Sequence, residues 1–123
     1  MRSSRRRSGS ESRRAVHRVE DITVTQLSAM LQGPNPPCVL DVREDWERAI
    51  ASLPGTLNIP LNEIPLRLKE LDASTAIIAL CHMGGRSRRV VEYLLARGYG
   101  RAANLAGGID AWAREIDPGM NTY

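Results

Sequence analysis

Ala76-Ile77-Ile78-Ala79-Leu80, followed at once by Cys81-His82-Met83-Gly84-Gly85-Arg86-Ser87, is the stretch that decides the fold. Its first five residues are apolar without alternation, the pattern of a strand covered on both faces and therefore of a parallel sheet. Gly84 and Gly85 interrupt the run. From about Ser87 to Arg97, Val90, Val91, Leu94 and Leu95 recur at helical spacing, and Gly98 stands where a helix stop is expected. A buried strand, a tight glycine turn and an amphipathic helix make one unit of an alternating α/β domain.

The same alternation runs outward in both directions. Upstream, Ile22-Thr23-Val24 reads as a short strand, and Thr25 as the cap of a helix facing inward with Leu27, Met30 and Leu31 up to Gly33-Pro34. Cys38 to Val42 reads as a buried strand and Glu44 to Ser52 as a helix. The Pro54-Gly55 turn leads to an extended Leu57 to Ile59, then a helix from Asn62 to Leu71 with Ile64, Leu68 and Leu71 on one face. Downstream, Ala102 to Leu105 is the last strand, and Gly107-Gly108 turns it into a closing helix carrying Ile109, Trp112 and Ala113. The expectation is an α/β fold: a single doubly wound parallel sheet of about five strands flanked by helices.

The 123 residues suit one domain, with 42% hydrophobic and 25% charged side chains. No apolar run approaches the ~20 residues that span a bilayer, so no membrane partner is expected. The net charge of +3 is unevenly spread. Residues 1–18 carry seven arginines against Glu11, which is +6, so residues 19–123 carry −3. The basic excess belongs to an Arg/Ser-rich tail, residues 1–18, which has too little apolar surface to fold and is expected to be disordered; residues 19–123 form the domain. The tail lacks the apolar segment of a secretory signal and the amphipathic face of a mitochondrial presequence. With Phe absent and five aromatics in all, no stacking surface for single-stranded nucleic acid is present, and no specific nucleic-acid partner is expected.

The chemistry concentrates where ligands of such folds sit, beyond the carboxyl ends of the strands. Cys81 directly follows the buried strand. Gly84 and Gly85 leave backbone N–H groups free to turn inward as an anion-binding nest, and the following helix points its positive end at the same place. Arg86, Arg88 and Arg89 crowd that helix's first turn, where cations are unfavourable by roughly 0.3–1 kcal/mol each when exposed. A bound anion would resolve this conflict, and the same field should lower the Cys81 thiol and raise its thiolate fraction. Cys38 enters a core strand after Pro36-Pro37 with no such surroundings and reads as structural. His17, Cys38, Cys81 and His82 lack metal-ligand spacing, so no metal site is expected. Two cysteines are also too few for a disulfide framework, and a free reactive thiol suits a reducing cytoplasm.

Four stretches taken together identify a family. Asp41-Val42-Arg43-Glu44 with Glu47, Pro54-Gly55 leading to Asn58-Ile59-Pro60-Leu61, the Cys81 to Ser87 loop, and Asn104-Leu105-Ala106-Gly107-Gly108-Ile109 with Ala111-Trp112 occur in order at compatible spacings. Over roughly residues 19–116 the chain resembles the rhodanese-like single-domain sulfurtransferases. The resemblance implies that Cys81 is the persulfide-forming nucleophile and that His82, Met83, Gly84, Gly85 and Arg86 form the loop cradling the transferred sulfur. Asp41 and Arg43 are implied as a mainly structural motif near the site; Ser87 and Arg88, at the start of the following helix, are expected in supporting positions from their place in the sequence. The implied reaction moves a sulfane sulfur from thiosulfate or a similar small anionic donor to cyanide, a thiol or an acceptor protein, without a metal or organic cofactor. Three features depart from the family pattern. Ser52-Leu53 replaces a usual His-Ile, Val90 stands where a small Ala is common, and the doubled Arg88-Arg89 is unusually basic.

Two alternatives have distinguishable signatures. Related Cys-dependent phosphatases and arsenate reductases place Arg six positions after Cys, whereas Arg86 is five after Cys81, which makes a tighter cradle sized for a single sulfur. A non-catalytic interaction module would not need the cysteine, which is retained here in an intact loop.

Overall fold

The structure is a computed structural model describing residues 18–123. Five parallel strands form one sheet: β1 (Asp21–Ile22), β2 (Cys38–Asp41), β3 (Leu57–Asn58), β4 (Ile77–Leu80) and β5 (Ala102–Leu105). Their order is β1-β5-β4-β2-β3, so β4 lies at the centre with β5 and β2 as neighbours. The helices are α1 (Val24–Leu31), α2 (Asp45–Ile50), α3 (Gly85–Ala96) and α4 (Gly108–Glu115). The expected α/β fold, a parallel five-stranded sheet flanked by helices, is the one found. Residues 1–17 of the expected tail lie outside the described residues.

Strand alternation divides the core into two layers. On one face Leu40, Val42, Ile77, Ala79 and Cys81 pack with Val91 and Leu94 of α3. On the other, Val39, Ile78, Leu80 and Leu105 pack with Leu27 of α1 and with Ile109 and Trp112 of α4. The apolar residues 77–80 are all buried, as a strand covered on both sides requires. α3 ends as its sequence suggests. Gly98 N–H donates to the Leu95 carbonyl at 3.2 Å and Tyr99 N–H to that of Leu94 at 3.0 Å, closing the helix around a left-handed Gly98.

Four boundaries differ from expectation, each for a local reason. Thr23, not Thr25, caps α1: its hydroxyl accepts from Gln26 N–H at 3.1 Å while the Gln26 side chain accepts from Thr23 N–H at 2.8 Å, a reciprocal box that places Val24 inside the helix. Val24 and Leu27 are consequently the buried face, and Met30 is exposed. α2 stops at Ile50, two residues early, because Ala51 is extended. The helix expected over 62–71 is replaced by two 3₁₀ turns, Leu61–Glu63 and Leu68–Glu70. Pro65 lies between them and has no N–H to offer a carbonyl four residues back, yet Ile64 and Leu71 still reach the core. Finally, α3 begins at Gly85 rather than Ser87, so Arg86 belongs to its first turn and not to the loop.

Candidate active site

Cys81 stands one residue past β4, at the carboxyl end of the central strand. The sequence reading counts Cys81 with the loop that runs to Ser87. The structure instead buries the residue, 1% exposed, against the α3 layer. Strand alternation explains the change: Ile77, Ala79 and Cys81 share one face, and the strand geometry carries one residue beyond the last ladder bond.

The sulfur is surrounded by donors. Gly84 N–H reaches Cys81 Sγ at 3.1 Å and the Ser87 hydroxyl lies at 3.2 Å. Burial alone would raise this thiol. The Ser87 hydroxyl and the amides of Ser87, Gly84 and Arg86 outweigh that effect, holding it below its ordinary value. At Cys38, which has no such donors, burial pushes the thiol up. Gly84 turns its amide toward the sulfur with φ +111°, a left-handed conformation in which any side chain would be strained, although a Cβ there would make only ordinary contacts with Asn104, Leu105 and Gly107.

The loop is also gripped from behind. Ile109 N–H donates to the Cys81 carbonyl at 2.9 Å, and Asp110 N–H to the His82 carbonyl at 3.0 Å. The amino end of α4 thus satisfies the carbonyls while the amino end of α3 faces the sulfur. His82 stacks on Tyr123, ring centroids 4.0 Å apart, and Met83 is exposed at the rim with Gly85.

Arg86 departs most from its expected place. Its two terminal nitrogens each meet a Glu47 carboxylate oxygen at 2.7 Å, a two-pronged pair between α3 and α2. The guanidinium is turned to Glu47, leaving backbone amides and one hydroxyl to line the cradle. Arg88 likewise pairs with Asp21 at 3.1 Å. Two of the three crowded cations are therefore balanced by carboxylates from other elements. Arg89 has no ion-pair partner among the described residues.

Asp41 and Arg43 form a fully buried ion pair, 2.8 Å between Oδ2 and the guanidinium. Arg43 also donates to the Ala51 carbonyl at 2.9 Å and the Tyr123 hydroxyl at 3.1 Å. The pair braces the end of β2 beside the site and does not touch the sulfur directly.

Three contributors were not assigned roles from sequence. Glu47 is 2% exposed and anchors Arg86. Asn104 on β5 meets the Ser87 hydroxyl. Tyr123 joins Arg43, Glu47 and His82. A signal existed for the first two, which both lie within the family-like stretches; for Tyr123 there was none beyond an aromatic ring with a polar tip.

Comparison with known proteins agrees with this geometry. Residues 23–115 match the family model described as "Rhodanese-like domain". The chain is 36% identical over 96 residues to a sulfurtransferase of Allochromatium vinosum, covering 78% of this chain and 90% of that protein. The solved rhodanese-like domain protein of Staphylococcus aureus superposes with a TM-score of 0.75 at 34% identity, covering 85% of this chain and 99% of that one. Some relatives are much longer: this chain spans 25% of the adenylyltransferase and sulfurtransferase MOCS3 of Arabidopsis thaliana, at 31% identity. Among the described residues no helix is long and apolar enough to cross a membrane. A donor-lined cysteine at the end of the central strand, a family match across most of the chain and close sulfurtransferase relatives together place this chain in the rhodanese-like sulfurtransferase family.

Proposed function

We propose that Cys81 carries sulfur between a small anionic donor, thiosulfate or a chemical equivalent, and a thiophilic acceptor such as cyanide, a thiol or a protein. The observation that carries the reading is the Cys81 sulfur held by the Gly84 amide and the Ser87 hydroxyl at the amino end of α3. In the first step the Cys81 thiolate attacks the sulfane sulfur of thiosulfate. The S–S bond of the donor breaks, sulfite leaves with its electron pair, and Cys81–S–S⁻ remains. In the second step the acceptor takes the outer sulfur and Cys81 leaves as thiolate. Charge is conserved in both steps, and no outside oxidant or reductant is required. The loop amides are already oriented toward the anion, so its charge is stabilised without reorganisation. Neither step calls for a cofactor, and a free thiolate of this kind suits a reducing compartment such as the cytoplasm.

The position of Arg86 favours sulfur chemistry over phosphoryl or arsenate chemistry. A tetrahedral oxyanion needs a guanidinium facing the cysteine, and here both terminal nitrogens of Arg86 are engaged by Glu47. The test is intact mass after thiosulfate treatment, alongside thiosulfate:cyanide turnover, for wild type and Cys81→Ser. The expected result is one added sulfur atom on the wild type only, and turnover reduced by at least ~10³-fold in a variant with an unchanged melting temperature. An unmodified wild type that binds a partner protein would point to an interaction module instead. A variant that still turns over would remove Cys81 from the mechanism.

A further inference from the structure

The Ser87 hydroxyl has one proton and faces two acceptors, Cys81 Sγ at 3.2 Å and Asn104 Oδ1. Asn104 cannot turn its amide over to resolve the competition. Its Nδ2 donates to Asp21 Oδ1 at 3.0 Å and to the Gly84 carbonyl at 3.2 Å. Exchanging the oxygen and nitrogen would set the oxygen against a carboxylate and a carbonyl. Asp21 is itself held by Arg88 at 3.1 Å. Ser87 and Asn104 are both buried, so water is a poor substitute for either partner.

We propose that Asn104 is a positioning residue that holds the Ser87 hydroxyl proton while Cys81 is neutral and yields it to Sγ when the sulfur becomes anionic. This rests on Cys81 being the sulfur carrier. With a neutral thiol, Ser87 donates to Asn104 and its lone pairs can accept from the S–H. When the thiol loses its proton, the Ser87 O–H rotates onto Sγ and Asn104 Oδ1 gives up its donor. In the persulfide the negative charge moves to the outer sulfur, Sγ is neutral again, and the hydroxyl returns to Asn104. No proton is transferred along the chain; one hydroxyl rotates. Asn104 thereby makes the thiolate somewhat more basic than Ser87 alone would leave it. A more basic thiolate is a better attacking group on the donor and a poorer leaving group toward the acceptor.

The charged groups facing this chain are Asp21 from β1, Arg88 and Arg86 from α3, and Glu47 from α2 behind Arg86. His82, the titratable side chain of the loop, lies stacked on Tyr123.

The test is the pH dependence of Cys81 alkylation by iodoacetamide in the full chain carrying Cys38→Ser, for four proteins: parent, Ser87→Ala, Asn104→Ala and the double variant. Ser87→Ala should move the midpoint up and Asn104→Ala down, each by about 0.5–1 pH unit. In the Ser87→Ala background, Asn104→Ala should move it by less than about 0.3 unit, because its effect passes through the hydroxyl. An Asn104→Ala shift that is upward, absent, or equal in both backgrounds would overturn the proposal. An equal upward shift would mean that Asn104 acts by holding the Gly84 carbonyl. Parallel thiosulfate mass measurements separate the two ideas: a parent that accepts no sulfur defeats the sulfurtransferase reading, whereas the alkylation cycle judges the relay by itself.

Discussion

Glu47 shows how one side chain anchors the site without touching the sulfur. Its carboxylate accepts from Arg86 at 2.7 Å, from Glu44 N–H at 3.0 Å and from the Tyr123 hydroxyl at 2.8 Å. Arg86 above all, then the Glu44 amide and the Tyr123 hydroxyl, overcome the opposing effect of burial and hold it at about 2, against an ordinary 4.5. A depressed carboxylate stabilises the fold above its unfolded value and loses that contribution as pH falls through its folded value. The window is therefore pH 4.5 down to about 2. The contribution is about 2–3 kcal/mol, somewhat below the full conversion because Arg86 is a third exposed. Unfolding free energies from urea titrations at pH 6, 4 and 2.5 should fall more steeply for wild type than for Glu47→Gln, converging at the acid end. Parallel curves would show that the pair with Arg86 contributes nothing to stability. The same variant should release Arg86 from its fixed position, so sulfur transfer should weaken even at neutral pH.

Between elements, the decisive contact is the amino end of α4 against the Cys81 loop. A Cβ on Gly108 would press on the carbonyl oxygens of both Cys81 and His82, where φ is already +58°. Gly108→Ala should cost about 3 kcal/mol or more. It should also slow Cys81 alkylation, because the loop must move off the amides of Ile109 and Asp110. Gly100→Ala, where added atoms meet nothing within 4 Å, is the control and should stay within about 0.5 kcal/mol. A Gly108→Ala protein as stable as the control would show that the helix can retreat without disturbing the site. This interface also marks what a sequence can disclose. The apolar run 76–80, the glycines of the loop and the periodicity of α3 are local features, so strand, turn and helix were legible from neighbouring residues. Pro65 was an equally local signal against the expected 62–71 helix, and three inward apolar residues at helical spacing obscured it. Pairings such as Glu47 with Arg86, 39 positions apart, or Ser87 with Asn104 depend on β5 and β2 flanking β4. Residue spacing carries no information about that adjacency, which is why Arg86 was assigned to the anion and not to a carboxylate.

Across the whole molecule, the site is closed by a residue that lies far from it in sequence. Tyr123 returns to the carboxyl end of the sheet, where its hydroxyl accepts from Arg43 at 3.1 Å and donates to Glu47 at 2.8 Å. Its ring stacks on His82 and meets the edge of Trp46 at 5.8 Å. One side chain thus links the end of β2, the helix α2 and the loop after β4. Tyr123→Phe keeps the ring contacts and deletes only the hydroxyl, so it isolates the polar link between two charged groups. Hydrogen bonds to charged groups are worth about 1.5–3 kcal/mol. Arg43 keeps Asp41 and the Ala51 carbonyl, and Glu47 keeps Arg86 and the Glu44 amide, so the expected total loss is about 1–3 kcal/mol rather than twice the single-bond value. The phenol adds a pH signature. Burial raises it, Arg43 opposes and Glu47 reinforces the rise, so it lies above its ordinary value. A group raised in the folded state contributes below its unfolded value, near 10, and loses that contribution as pH climbs through the folded value. Wild type should therefore lose stability above about pH 10 faster than Tyr123→Phe, in the limb opposite to the one governed by Glu47. Urea midpoints at pH 7, 9.5 and 11 decide the matter. Equal stability of the two proteins at pH 7, or identical alkaline limbs, would mean that Tyr123 merely lies against the site without holding Arg43 and Glu47 in place.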